Sequence, residues 1–479
     1  MSKIIPPLDL MWLLMETPTT PTHIGGLLLF QRPAGRPGLV REIVEAYRSY
    51  EPVPPFNYVP KLGLRVPRFV ESGHIDHVYH VQHLAMPAGS THDDFLRLVT
   101  DLQEPMLDHG RPLFRMWIIE GLPDRQFAIY MKMNHSIIDG ASAAHLIASS
   151  LGTSPRDRIK PPPFAVTTAP RKPRPSRPLA ERLARMGMTA TRQAAALKDV
   201  SLSALRKTLS EWGGTDPGGS RAFTARHSPM NEPLPVARSL ATLSLPLDEM
   251  REVGRHYGAT LNDVVVAVTD EGVHRYLRAT GRTFPHRLVA SCPMSMREEG
   301  DTEAATKVSA MFVHLGRHEA TITDRIGQVV AAMDTAKQEL RSRSRDAAML
   351  YVIAAAGLAG ARESTGAARV TPPLANLLIS NVPGPRETMY LNGARLVCTY
   401  AVPGVPGGIG LNVTVSSYAN LMNFGFGGNG VTMHSLPEMA RHVADAYAEP
   451  KAAASRHGRG RATGPTRAPR RHRPSGRRT

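Results

Sequence analysis

A chain of 479 residues, 42% of them hydrophobic, is long enough for roughly two to four domains and can bury a sizeable core, which excludes a protein that is disordered throughout. The formal net charge is +17, but no zinc finger, helix-turn-helix or RNP pattern accompanies it, so no specific nucleic-acid partner is expected. The two cysteines, Cys292 and Cys398, lie far apart without metal-ligand spacing. This argues against a disulfide framework and a metal site, and favours the reducing cytoplasm.

The N-terminus and the longest apolar run both argue against membrane insertion. Two prolines, Pro6 and Pro7, and Asp9 interrupt the start of the chain before an apolar segment can form, so no secretory signal is expected. The longest uncharged apolar run, 347–361, falls short of the about 20 residues that span a bilayer. We expect it to form a buried helix.

A predicted strand in the first half of the chain leads to a motif that can carry acid–base chemistry. Residues 126–133 are rich in β-formers and alternate loosely, and the segment Asn134-His135-Ser136-Ile137-Ile138-Asp139-Gly140 follows. An imidazole has a pKa near neutrality, so His135 is a candidate general base at a strand-to-loop junction. Gly140 would permit a tight turn. The alternative is a structural histidine beside an aspartate turn, because this spacing alone is a weak signal.

A change of composition then separates two halves. Residues 155–178 are rich in Pro, Arg and Lys, which favours an extended linker after a first domain at 1–154. Residues 179–209 regain helical character and predict an exposed amphipathic crossover helix, which could alternatively lie on a membrane surface. The linker region as a whole is assigned to 155–235.

The second half, 236–450, again mixes predicted strands and helices. A strand near 238–245 precedes a helix at 248–257, and Thr260 can cap the next helix, 261–273, whose first turn contains Asn262. The remaining predictions are strands at 287–291, 308–315, 374–380, 394–402 and 411–417, and a helix at 328–341. Such mixing in both halves indicates an α/β protein with mixed sheets.

The C-terminal tail, 451–479, is strongly basic. It contains Lys451 and nine arginines without an acidic residue, so it carries +10 of the net charge. This composition cannot bury a core, and disorder is expected. The tail could bind anionic lipid heads, could bind nucleic acid without specificity, or could be a solvated end without function.

Several blocks around the histidine motif occur in a characteristic order. They are Leu8-Asp9, the segment from Glu16 to Gly25, Arg111 to Leu122, the motif at 134–140, Leu261 to Val264, Cys292 to Arg297, Val308 to Val313, and Ser380 to Pro385. In this order the chain resembles the bacterial wax ester synthase/acyl-CoA:diacylglycerol acyltransferase family, from about residue 5 to about residue 445. The resemblance implies two chloramphenicol-acetyltransferase-like domains with the active site in a tunnel between them.

The resemblance also implies an activity and a set of catalytic residues. The expected reaction is acyl transfer from acyl-CoA to diacylglycerol, or to a long-chain alcohol to make a wax ester, with acyl-CoA as co-substrate and no cofactor. His135 would be the base, and Asp139 would shape the loop through an ion pair, for which we nominate Arg297. Asn262 would donate to the oxyanion or hold the catalytic loop, although it could simply begin a helix.

Three further residues are predicted to line the substrate site: Asn134, Asn381 and Pro112. Two of them have simpler alternatives, since the Pro112 block could pack behind the channel and the Asn381 block could form a rigid turn. The sequence also departs from the family pattern. Asn134 occupies the position of the first histidine of the usual His-His-x-x-x-Asp-Gly motif, and Ala305-Thr306 replaces the expected Gly-Asn.

Water-insoluble substrates and a basic tail together predict peripheral association with membranes or lipid droplets. Two other functions fit part of the pattern. One is a condensation-type enzyme of the same fold that acylates another alcohol, and the other is a weakly active lipid-binding homologue.

Overall fold

The computed structural model describes residues 2–63, 66–166, 222–295, 308–342 and 345–462. The strands are β1 (Ser2–Ile4), β2 (His23–Gln31), β3 (Tyr58–Lys61), β4 (Arg68–Glu71), β5 (Val81–Ala85), β6 (Phe114–Leu122), β7 (Gln126–Asn134), β8 (Arg238–Pro246), β9 (Arg287–Ser295), β10 (Val308–Arg317), β11 (Leu377–Val382), β12 (Tyr390–Leu391), β13 (Ala394–Val402), β14 (Leu411–Tyr418) and β15 (Leu421–Asn429). The helices are α1 (Pro7–Met15), α2 (Leu39–Arg48), α3 (His77–His80), α4 (His92–Gln103), α5 (Gly140–Ser149), α6 (Leu247–Tyr257), α7 (Leu261–Ala279), α8 (Ile322–Arg341), α9 (Arg345–Ser364) and α10 (Leu436–Ala462).

Two six-stranded mixed sheets form the framework. The first has the order β12-β13-β2-β7-β6-β5, and the second has the order β10-β9-β11-β14-β15-β8. A small third sheet, β1-β4-β3, lies at the N-terminal end of the chain. Strands and helices alternate in both halves, so the predicted α/β class with mixed sheets is confirmed.

Strand β13 crosses from the second half of the chain into the first sheet. Its residues pair antiparallel with β2, from Arg395 opposite Gln31 to Val402 opposite Gly25. It also meets the second sheet, where the Ser416 hydroxyl donates to the Thr399 carbonyl over 2.9 Å. Two strands of the predicted second domain, 236–450, therefore belong to the sheet of the first half, namely β12 and β13.

Each large sheet is covered by helices whose apolar faces fill a separate core. In the second half, α7 is almost entirely buried between the sheet and α10, with Val264 to Val268 at 0 or 1% exposure. In the first half, α2 and α5 cover one face of the sheet, and Ile43 and Leu146 lie in the same core. The helix predicted at 261–273 extends six residues further, to Ala279. The apolar run ends at Val273, but the helix continues through residues that are also buried, among them His274 and Leu277.

Three other predictions concern the terminal and linker segments. The apolar run 347–361 forms most of α9, but only Ala348, Tyr351 and Ala355 are buried among its side chains that the structure describes. The tail does not begin at 451, because α10 continues to Ala462. The crossover helix at 179–209 and the remainder of the tail lie outside the described residues. Within the described ranges, no helix is long and apolar enough to cross a membrane.

Candidate active site

His135 lies in the turn between β7 and α5. The strand ends at Asn134 and the helix begins at Gly140, so the predicted strand-to-loop position is observed. The His135 backbone N–H donates to the Thr22 carbonyl over 2.9 Å, which ties the turn to the segment just before β2. The histidine is therefore held by its backbone, and its ring is free to take part in other contacts.

The imidazole of His135 stacks on Trp12 of α1. The ring centroids are 4.5 Å apart, and the planes differ by 22°. Trp12 was not among the predicted site residues, although the block at Leu8-Asp9 lies in the same helix. A stacked indole fixes the plane of the imidazole and excludes water from one of its faces.

Burial lowers the pKa of His135 below its ordinary value of 6.5, while a contact with its own backbone and the charge of Asp139 act in the opposite direction. Nδ1 is buried and has no hydrogen-bond partner among the described residues. Nε2 makes no hydrogen bond to a described residue either, so the neutral ring can accept a proton.

Asn134 is buried, and its side chain is hydrogen-bonded. It is 0% exposed, and its amide donates to Glu16 Oε2 over 3.0 Å and to Thr22 Oγ1 over 3.2 Å. Its carbonyl oxygen accepts from the Ser136 N–H over 2.9 Å. The side chain therefore holds the start of the turn that contains His135, and its contact with substrate stays a prediction.

Glu16 is the centre of this network, and sequence reasoning missed it. Its side chain is 0% exposed, and it accepts from the Thr22 N–H over 3.0 Å and from His109 Nε2 over 2.7 Å, besides Asn134. The hydrogen bond to Glu16 raises the pKa of His109, and the nearby carboxylates add to this effect against the opposing effect of burial. The protonated form of His109 is therefore favoured beside this buried carboxylate.

Asp139 and Gly140 begin helix α5. The Asp139 carboxylate accepts from the Ser142 N–H over 2.8 Å, the geometry of an N-cap. Its predicted partner Arg297 lies outside the described residues. Gly140 does not have a positive φ, so its backbone conformation does not require glycine. A Cβ at Gly140 would lie 3.9 Å from Val382 Cγ2, which places the start of α5 beside the end of β11.

The second half of the chain contributes two asparagines near the start of α5, Asn381 and Asn262. Asn381 precedes Val382 on β11, and its Nδ2 lies 3.5 Å from Asn262 Oδ1. Asn262 is in the first turn of α7, and Thr260 caps that helix as predicted by accepting from the Asp263 N–H over 3.2 Å. The structure therefore links the motif turn, Asn381 and Asn262 across the two halves.

The Pro112 block supports β7 from behind. Pro112 is buried, and its carbonyl accepts from the Phe114 N–H over 2.9 Å. The Leu113 carbonyl accepts from the Asn134 N–H over 3.0 Å. These contacts favour the packing alternative for Pro112 over a substrate contact.

Further buried polar side chains lie on β7 and β2 next to the site. Lys132 Nζ donates to the Leu102 and Pro105 carbonyls, each over 2.7 Å, and burial together with Arg115 lowers the pKa of Lys132 to about 7. His23 pairs with Asn134 across the strands, and burial, with the charge of Lys132, lowers its pKa well below 6.5. A cleft between the two halves is lined in part by His23, Gln103, Arg238 and Val402.

One group of potential metal ligands lies away from this site. His286, His318 and Glu319 are at the surface near the ends of β9 and β10, and Nδ1 of one histidine lies 2.8 Å from Nδ1 of the other. Glu319 lies 3.0 Å from His318 Nε2 and 3.3 Å from His286 Nδ1. The three side chains therefore form a cluster of mutual polar contacts at the surface.

Comparison with known proteins places the chain in a family. Residues 5–265 match the wax ester synthase/diacylglycerol acyltransferase catalytic domain, and residues 305–451 match the WS/DGAT C-terminal domain. A relative from Mycobacterium tuberculosis, named "Probable diacyglycerol O-acyltransferase Tgs4", is 30% identical over 458 residues, which cover 93% of this chain and 96% of the relative. The chain belongs to the wax ester synthase/diacylglycerol acyltransferase family, as its ordered blocks predicted.

Solved structures agree with this assignment. The wax ester synthase/diacylglycerol acyltransferase from Marinobacter aquaeolei VT8 matches with a TM-score of 0.73 and 28% identity, over 95% of this chain and all of that one. The first condensation domain of the CDA synthetase matches with a TM-score of 0.54 and 17% identity, over 94% of this chain and 97% of that domain, which is a likeness of fold. The predicted two-domain acyltransferase fold is confirmed.

Proposed function

We propose that this chain transfers a fatty acyl group from acyl-CoA to the free hydroxyl of diacylglycerol, with His135 as the general base. The observation that carries the proposal is the environment of His135 in a chain of this family. Its ring is stacked on Trp12, its pKa is lowered, and Nε2 makes no hydrogen bond to any described residue. A neutral imidazole with an available Nε2 is the form that accepts a proton at neutral pH.

The proposed reaction needs one proton acceptor and no covalent enzyme intermediate. Nε2 takes the hydroxyl proton as the oxygen attacks the thioester carbon, and a tetrahedral intermediate forms. The intermediate collapses with cleavage of the carbon–sulfur bond, and the imidazolium returns the proton to the CoA thiolate. The products are triacylglycerol and free CoA, and the base is regenerated.

Asn262 is the proposed donor to the oxyanion of that intermediate. The Asn381 amide faces Asn262 Oδ1 at 3.5 Å, which leaves the Nδ2 group of Asn262 to donate elsewhere. Asn262 has no further hydrogen-bond partner among the described residues. Two fixed amides at the start of α7 and the end of β11 are suited to stabilise developing negative charge.

We also propose that the protein works while peripherally bound to a membrane or lipid-droplet surface. The acceptor is insoluble in water, and the chain carries a net charge of +17. Anionic lipids attract basic segments by up to about 1 kcal/mol for each Lys or Arg near the surface.

The test is a product assay with purified protein and radiolabelled acyl-CoA. Detergent-dispersed diacylglycerol and a long-chain alcohol are supplied separately, and triacylglycerol and wax ester are quantified by chromatography. We expect triacylglycerol from diacylglycerol. Wax ester without triacylglycerol would correct the acceptor, and hydrolysis or no product with either acceptor would contradict the proposed function.

A further inference from the structure

Several large apolar side chains are exposed at one end of the small N-terminal sheet, β1-β4-β3. Among the large hydrophobic residues described, Ile4 is 51% exposed, Leu62 is 42% exposed and Val66 is 59% exposed. Ile4 ends β1, Leu62 follows β3, and Val66 precedes β4. Three exposed aliphatic side chains are therefore concentrated at one end of a three-stranded sheet.

Strand register places basic residues in the same row. Ile4 pairs with Arg68, and Arg68 pairs with Lys61, so these three side chains project from the same face of the sheet. The opposite face packs on the core, where Phe69 is 4% exposed and stacks on Tyr58. On the first face, Val59 is buried, and the end formed by Ile4, Lys61 and Arg68 presents exposed apolar and cationic groups.

The cations on this face are not neutralised within the described part of the chain. Arg68 donates to the Ser2 hydroxyl over 3.2 Å, and no described carboxylate forms an ion pair with Arg68 or Lys61. Exposed aliphatic groups beside unpaired cations complement a surface with anionic heads over an apolar interior. A lipid surface supplies both groups at once, because its anionic heads lie directly over its apolar interior.

The same segment leads directly to the proposed base. Helix α1 begins three residues after Ile4, and it carries both Trp12, which stacks on His135, and Leu14, which is 67% exposed. One helix therefore joins an outward-facing aliphatic side chain to the wall of the site. A lipid surface docked here would lie next to the helix that covers His135.

We propose that Ile4, Leu62, Val66, Lys61 and Arg68 form a docking face for an anionic lipid surface, from which the acceptor reaches His135 past α1. This inference rests on the proposed use of a lipid acceptor. It assigns docking to the N-terminal sheet instead of the basic C-terminal tail.

The test uses the full chain and two matched triple variants. The first is Ile4→Ser/Leu62→Ser/Val66→Ser. The control is Val236→Ser/Val370→Ser/Val431→Ser, which removes aliphatic side chains that are 49%, 84% and 62% exposed elsewhere on the surface. Cosedimentation with phosphatidylcholine/phosphatidylglycerol vesicles gives the affinity, and thermal unfolding checks both folds. Leu14 is left unchanged because α1 contacts the site.

We expect the docking-face triple to bind these vesicles about tenfold more weakly or worse, while the control binds like the unaltered chain. Lys61→Gln/Arg68→Gln should weaken binding to anionic vesicles but not to pure phosphatidylcholine vesicles. Turnover on vesicle-embedded diacylglycerol should fall for the docking-face triple, and turnover on detergent-dispersed diacylglycerol should not.

Equal vesicle binding by the docking-face triple and the unaltered chain would overturn the proposal, as would an equal loss in the control triple. A loss of turnover in detergent as large as that on vesicles would also contradict it, because the substitutions would then be acting on the site itself. If the unaltered chain makes no triacylglycerol, the proposed function fails. The binding arm still reports on the docking face in that case.

Discussion

Each half of the molecule contains a buried cluster of polar side chains, and the two clusters differ in how completely they are paired. In the second half, Arg325 is 0% exposed and donates to Asp270 over 2.7 Å, to Glu271 over 2.8 Å and to the Arg317 carbonyl over 2.8 Å. Burial would raise the pKa of Asp270, but the charges of His274 and Arg325 outweigh it and lower the pKa overall.

In the first half, Glu16 and Asn134 are hydrogen-bonded to several partners, as Arg325 is, but the ring that they position is not. The His135 ring stacks on Trp12, and its nitrogens have no hydrogen-bond partner among the described residues. The comparison teaches that a buried charge with several partners, such as Arg325, stabilises the fold. A titratable ring that a hydrogen-bonded network positions, but does not itself pair, is a candidate for chemistry.

The largest effect should come from removing the ring itself. We expect His135→Ala to lower kcat by about 10² to 10⁴, because a general base contributes that much to proton transfer. His145→Ala is the matched control, since His145 is exposed on α5 and should keep full turnover. Both variants should unfold within a few degrees of the parent. If purified His135→Ala kept near-parental turnover, His135 would not be the base, and the contrast between the two clusters would not hold.

The Arg325 cluster should show the opposite response, which is a loss of stability without a loss of turnover. Arg325→Met leaves Asp270 and Glu271 buried without the guanidinium that they share, so the free energy of unfolding should fall by about 3 to 5 kcal/mol. The control is Arg251→Met, which removes an exposed pair with Asp248 and should cost at most about 1 kcal/mol. Chemical denaturation measures both. Equal stability of the two variants would show that the buried pairing is dispensable.

Glu16 should affect both stability and turnover, because its network positions the reacting ring. Glu16→Ala strands the Thr22 N–H and the Asn134 amide, each at about 1 to 3 kcal/mol. A displaced turn should also lower kcat by up to about 10²-fold. In addition, NMR titration should show a lower pKa for His109, which loses the carboxylate that raises it. If the variant kept an unaltered kcat and an unaltered His109 pKa, Glu16 would not be a positioning residue.

The smallest effect should come from Asp139. Asp139→Ala loses the N-cap of α5 and should cost about 0.5 to 2 kcal/mol, whereas Asp139→Asn can still cap and should cost less. The negative charge of Asp139 raises the pKa of His135, so Asp139→Asn should move the acidic limb of kcat/KM to lower pH. A shift to higher pH would contradict this assignment.

The sequence predicted what is local or ordered along the chain. The β-rich run before Asn134, the cap at Thr260 and the order of the blocks were sufficient for the strand that delivers His135, the start of α7 and the family. These features depend on neighbours a few residues away or on a pattern that is linear in sequence.

What the sequence could not predict depends on long-range contacts. Glu16 and Asn134 are 118 residues apart, and no local pattern announces that their side chains meet. The pairing of β13 with β2 has the same origin, because a strand's partner is chosen by packing instead of by its own composition. The cap that Asp139 forms could not be predicted either, because it depends on where α5 begins.

The central claim is that His135 acts as a neutral base whose pKa lies below that of an ordinary histidine. Its most direct test is the pH dependence of kcat/KM on detergent-dispersed diacylglycerol, compared with the residual activity of His135→Ala. Because the lowered pKa keeps the ring neutral, activity should hold as the pH falls to 6.5 and then decline through a single protonation below that value, and the variant should lack this limb. An acidic limb centred above pH 6.5, or one that persists in His135→Ala, would contradict the assignment of His135 as the base.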